Sequence, residues 1–181
     1  MGFFRLLGRN RHERTGYQLY GAAVAAARDP ALYAGLGVPD TLDGRFDLVG
    51  LHVFLLIRRL GALPPPGPAL AQAVFDAMFH DMDLNLREMG VGDLSVGKRV
   101  RAMWEAFHGR SSAYQAALGA EDAVLLAEAL ERNVWRGKPA GDAAAALARL
   151  VLAQDAHLAR QDLRTLGRGV ADFLACGGAR P

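Results

Sequence analysis

Apolar residues recur at spacings of three and four through most of the chain, and segments that keep this period predict helices rather than strands. The longest such stripe is Phe75, Met78, Phe79, Met82, Leu86 and Met89, which puts six large side chains on one helix face and predicts a core position for Phe79. Asp76, His80, Asp83 and Arg87 fall on the other side, with Asp83 and Arg87 spaced to pair across one turn. Gly90 supplies a helix stop, and Asp93 or Ser95 can cap the next helix after only a few residues. That helix opens on a basic turn, Lys98, Arg99 and Arg101, and carries Val100, Met103, Trp104 and Phe107 as its apolar face. The two segments predict a helical hairpin with an acidic arm and a basic arm.

Ahead of the hairpin, Tyr17 to Arg28 reads as an Ala-rich helix capped by Thr15, and Asp29-Pro30 opens a short helix that reaches Leu36. The most hydrophobic segment runs from Asp43 to Leu60 through Leu48, Leu51, His52, Leu55 and Leu56. Its apolar run is too short to span a bilayer, which places it near the centre of a helical core. Gly61 and Pro64 to Pro66 form a stiff connector. Beyond the hairpin, Gly109 predicts a break with a restart at Ser111 or Ser112, and Glu121 and Asp122 open a helix through Val134. Asp142 opens a last helical region whose apolar positions reach Val170 and Phe173, with Gly167 and Gly169 as points where it can split. No segment alternates as a strand would. The expected fold is all-α, a single globular bundle of about six or seven helices with irregular connectivity.

Composition narrows this further. A chain of 181 residues suits one domain and buries roughly two thirds of its unfolded surface. A net charge of +2 excludes a strongly basic nucleic-acid binder. All basic residues except Lys98 and Lys138 are arginine, which with abundant Ala and Gly suggests a GC-rich bacterial origin. The single Cys176 excludes an internal disulfide and fits a reducing compartment, so the expected location is cytoplasmic. Residues 1–14 form a basic, apolar N-terminal arm ahead of a helical domain at 15–176. Phe3, Phe4 and Leu6 alternate there with Arg5, Arg9 and Arg11, in a block too short for a secretory core. The arm reads either as a solvated tail or as a membrane contact on the cytoplasmic face of the inner membrane, its aromatic and aliphatic groups in the interface and its arginines on anionic lipid.

Three patterns invite chemistry. Gly92 to Lys98 satisfies the phosphate-loop spacing, but Arg99 replaces the magnesium-binding hydroxyl and a helix, not a strand, precedes it. His80 with Asp76 and Asp83 is half of a metal site without the second ligand-bearing helix. His52 on an apolar helix reads as a hydrogen-bonded core residue. No catalytic residue, metal ligand or cofactor is therefore assigned. The candidate client-binding surface is the charged hairpin, Asp83, Arg87 and Glu88 against Lys98, Arg99 and Arg101, which suits a polypeptide recognised by complementary charge.

The run REMGVGDLSVGKRV at Arg87 to Val100, with AFHGRSSAY at Ala106 to Tyr114, resembles the signature of the ubiquinol–cytochrome c chaperone family. FDLVGLHVFLLIRRL at Phe46 to Leu60 and YQLYGAAVAAAR at Tyr17 to Arg28 extend the likeness, which thins beyond Leu118; His108 stands where the family often has an aromatic. The resemblance implies a non-catalytic assembly chaperone that binds newly made cytochrome b and supports biogenesis of the respiratory cytochrome bc complex, with a second assembly factor as a further partner. Two other readings remain open at this point. One is a helical enzyme or metal-binding protein using the His80 and Asp83 face together with His108 or His157, and the other is a permanent accessory subunit of a respiratory complex.

Overall fold

The computed structural model describes the backbone of residues 2–176 and the side chains of residues 12–176. Among these residues seven α-helices follow in order: α1 (Gly2–Ala27), α2 (Leu42–Gly61), α3 (Gly67–Glu88), α4 (Asp93–Gly119), α5 (Ala123–Val134), α6 (Asp142–Ala159) and α7 (Leu163–Leu166). A single π-helical turn at Ala31–Gly35 joins the first two, and there is no strand among the described residues.

Helix α2 buries Leu48, Leu51, Val53, Phe54, Leu55, Leu56 and Leu60 around its whole circumference. A helix that is apolar on every side has to be enclosed, and α1, α3, α4, α5 and α6 all pack against it. Its ends are fixed locally. The Thr41 hydroxyl accepts from Gly44 N–H at 3.1 Å, and Arg58 and Arg59 complement the dipole in the last turn.

Helix α1 runs unbroken through Thr15, which is buried inside it rather than capping it. The expected membrane contacts Phe3, Phe4, Arg5, Leu6, Arg9 and Arg11 fall among side chains outside the described ones. Close approach of α1 to α3 depends on Gly16, where a Cβ would lie 2.6 Å from the Ala73 carbonyl carbon and oxygen.

The stripe expected to be the core face of α3 is only partly so. Leu70, Ala71, Val74, Ala77 and Met78 carry the burial, whereas Phe75, Phe79 and Met82 are half-buried and Met89 is 51% exposed. The reason is geometric: α1 meets α3 as far as His80 and Asp81, Phe75 and Phe79 lie toward Phe107 of α4, and the last turns of α3 and the start of α4 add nothing to the main core. Helix α4 is also continuous where a break was expected. Gly109 sits mid-helix with open space around it, while Phe107 and Tyr114 hold both sides of it in the core.

The last expected helix is replaced in part by something else. After α7, Gly169 takes a left-handed φ of 80°, and Val170 and Phe173 lie in an irregular strap over 170–175 instead of a helix.

Gly16→Ala separates helix propensity from packing. Propensity alone favours Ala by about 1 kcal/mol, but the atoms in the way are backbone and cannot rotate aside. The variant should melt below the parent protein in thermal denaturation, and a higher melting temperature would contradict the α1–α3 packing.

Candidate functional site: a methionine cleft beside the hairpin

A cleft of about 810 Å³ opens where the overlong end of α3 leaves the core. Tyr20 and Val24 of α1, Arg28 just past its end, Tyr33 of the π-turn, Phe46 and Val49 of α2, Asp81, Met82 and Leu86 of α3, Met89 at its C-terminus and Met103 of α4 form its walls. Its apolar lining is held in place by a few hydrogen bonds. Tyr20 Oη donates to Asp81 Oδ2 at 2.7 Å, and burial first, then the neighbouring carboxylate, raises the phenol's pKa. Tyr33 Oη donates to the Ala27 carbonyl at 2.9 Å. At the rim Arg45 pairs with Asp40 at 2.6 Å, whereas Arg28 makes no ion pair among the described residues. Three methionines in one cleft give walls that can refit to different apolar surfaces, because the thioether chain is unbranched and polarizable.

The hairpin borders this cleft, and its two arms behave differently. Arg87 binds Asp83 at 2.6 Å and, across the Gly90 turn, Asp93 at 2.5 Å. Its guanidinium holds the Asp83 carboxyl below the usual range and ties the turn together. Arg101 pairs with Glu105 within its own helix at 3.1 Å. Lys98 and Arg99 are exposed and form no ion pair among the described residues. The two arms are thus joined across the turn by Arg87 and Asp93, while Lys98, Arg99 and Arg101 make no ion pair with the acids of α3.

The other chemical patterns dissolve into local contacts. Gly92 to Lys98 covers the turn and first residues of α4, with Asp93 held by Arg87. Asp76 accepts from Gln72 at 2.8 Å, and His80 lies edge-on to Tyr17. Among the described residues no three His, Cys, Asp or Glu side chains gather closely enough to hold a metal. His52 is buried and donates from Nδ1 to the Leu48 carbonyl at 2.8 Å, and burial lowers its pKa. His108 packs as a ring against Trp104, 4.1 Å between centroids, and against Phe75 at 5.7 Å, so the imidazole does an aromatic's packing work. His157 contacts Asp172 at 2.9 Å.

A buried ionic cluster escaped the sequence reading. Asp47 of α2 is 2% exposed and takes Arg136 Nη2 at 3.2 Å on Oδ2, while Oδ1 meets Arg110 of α4 as an ion pair without hydrogen-bond geometry. Desolvation pushes the Asp47 carboxyl up to about 6 against the opposing pull of Arg110 and Arg136. The cluster fixes α4, and hence the hairpin, to α2. Its sequence signal is weak: Asp47 directly precedes the apolar run, and no spacing places Arg110 or Arg136 beside it.

A family model described as "Ubiquinol-cytochrome C chaperone" matches residues 34–173. The chain belongs to the ubiquinol-cytochrome c chaperone family. The match begins after the Tyr17 to Arg28 segment and continues well past Leu118, into the strap. The crystal structure of the Cbp3 homolog from Brucella abortus superposes with a TM-score of 0.85 at 36% identity, covering 97% of this chain and 96% of that one. The Xenopus laevis "Ubiquinol-cytochrome-c reductase complex assembly factor 1" is 27% identical over 97 residues, which is 54% of this chain and 48% of that protein. The chain therefore spans about half the length of this curated relative. Among the described residues, no helix of this family member is long and apolar enough to cross a membrane.

The Asp47 cluster makes a pH prediction with a fixed sign. The folded pKa of about 6 lies above that of a free aspartate, about 3.9. The folded state then holds the extra proton between the two values, so this group's contribution to stability falls as pH rises from about 4 to about 6. Urea unfolding across that window should show this fall in the parent protein and lose it in Asp47→Asn.

Proposed function

We propose that this chain is an assembly chaperone that binds newly made cytochrome b during biogenesis of the respiratory cytochrome bc complex, without catalysing a reaction. The chaperone description of its family and the assembly-factor title of the Xenopus relative support the assembly role. The likeness of Arg87 to Val100 and Ala106 to Tyr114 to the family signature supports cytochrome b as the client.

The observation that carries this reading is the methionine cleft with a free cationic rim. Met82, Met89 and Met103 offer an adaptable apolar wall to a non-polar segment that has not yet found its final partners. On α4, Arg99 lies one helical turn before Met103 of the cleft with Lys98 next to it in the chain, both exposed and without an ion pair among the described residues, and so available to acidic or carbonyl groups of the client. Asp83 and Arg87 shape the turn that holds these elements in place.

The test replaces the native gene with Met89→Glu or with Arg99→Glu/Arg101→Glu and measures cytochrome b accumulation beside the melting temperature of each purified variant. Met89 is half in solvent and both arginines are exposed, so stability should change by no more than about 0.5 kcal/mol. Cytochrome b should nevertheless fall. Full cytochrome b levels from either normally melting variant would remove its site from client binding.

A further inference from the structure

The strap at residues 170–176 has no helix of its own, yet its backbone is read by side chains. Gln154 Nε2 donates to the Leu174 carbonyl at 2.8 Å while Gln154 Oε1 accepts from Leu174 N–H at 2.9 Å. Gln161 treats Asp172 the same way, donating to its carbonyl at 2.6 Å and accepting from its N–H at 3.0 Å. Each glutamine gives one strap residue the donor and acceptor pair that a neighbouring β-strand would give. Between the two, Phe173 turns inward and meets the buried His52 ring edge-on at 5.5 Å. Ala171 and Phe173 pack on the core while Asp172 and Leu174 face out, which is the two-residue alternation of a strand. Asp29 Oδ2 closes the far end by accepting from Cys176 N–H at 2.9 Å.

These contacts select a peptide backbone, not a sequence. Gln154 is 1% exposed beneath the strap, so loss of the strap would strip its amide of a donor and an acceptor at once, a pair that a single residue of another peptide backbone replaces together. Side-chain choice enters at one place, the slot over His52 that takes an aromatic ring. We infer that the groove along α6, with His52 of α2 at its floor, is a binding site for an extended peptide segment of a partner chain, one with an aromatic residue between two glutamine-paired residues, and that the strap is its intramolecular occupant. Strand-like addition of a peptide by main-chain hydrogen bonds, with a pocket for an alternate side chain, is a general mode of peptide recognition. The site lies among residues the methionine cleft does not use, and it stands whether or not cytochrome b is the client.

The experiment uses the full chain with Asp172→Pro, Phe173→Ala and Leu174→Pro together, which removes both strap N–H donors and the ring while leaving every groove residue in place. A fluorescent synthetic peptide with the native sequence of residues 170–176 is titrated by anisotropy. The released variant should bind it at least about tenfold more tightly than the native chain does. Adding Gln154→Ala to the variant, or replacing the phenylalanine of the peptide by alanine, should weaken that binding. A folded released variant that binds no better than the native chain overturns the inference. If circular dichroism shows that the variant has not folded, hydrogen exchange of the native chain decides. Amides of Asp172 and Leu174 exchanging faster than those of α6 support a strap that opens from an intact groove, and exchange only with global unfolding overturns it. A dimer of the native chain that exchanges straps would assign the groove to a second copy and equally overturn the partner peptide.

Discussion

Enclosure of α2 is the constraint from which the other helices take their places. Its seven large buried side chains point in all directions, each stabilised by about 1.5 to 3 kcal/mol on leaving water. One neighbour cannot cover such a surface, so five helices surround it. The tightness of the nearest layer rests on small residues, above all Gly16 against the backbone at Ala73. Asp47 is the one charged side chain of α2 that is fully buried, and Arg110 and Arg136 reach it from α4 and from just past the end of α5.

That arrangement explains why a cleft exists at all. Helices α3 and α4 are longer than the core they help to cover, so their joined end continues past it with apolar groups still exposed: Met89 at the cleft, and Leu94 at 99% exposure on the hairpin tip. Arg87 stiffens the turn by holding an acid on each side of it. The result is a firm hairpin whose inner face is oily and whose basic arm leaves Lys98 and Arg99 without an ion pair among the described residues. Such a surface suits temporary contact with an unfinished apolar chain better than a permanent joint, for which the charged rim would be poorly matched.

The sequence made the helices legible because their apolar period and their caps agree. Thr41, Asp122 and Asp162 each accept backbone N–H groups at a helix start, and the all-round hydrophobicity of α2 announced its central place. What it could not reveal was rotation and end-point. The stripe from Phe75 to Met89 has the right period but half of it lines grooves, since periodicity says which residues share a face and not how far the neighbours extend. Gly109 broke a prediction because local propensity yields where Phe107 and Tyr114 are both anchored in the core. The charged residues of the hairpin were visible as a group, whereas the cleft beside them draws on four helices and one turn, and its methionines had the spacing of core positions. The strap was invisible for a related reason: Val170 and Phe173 keep helical spacing, but Gln154 and Gln161 satisfy the backbone of Asp172 and Leu174 from outside and make a helix unnecessary.

Photo-crosslinking asks whether the methionine cleft holds the client. A photoreactive residue is placed at Met89 on the cleft, or at Val124, 69% exposed on α5, in the full chain in cells, and the captured partner is identified. A cleft that holds the client gives a crosslink to cytochrome b from position 89 and none from position 124. No cytochrome b at position 89, or equal capture from both, would rule the cleft out as the client site.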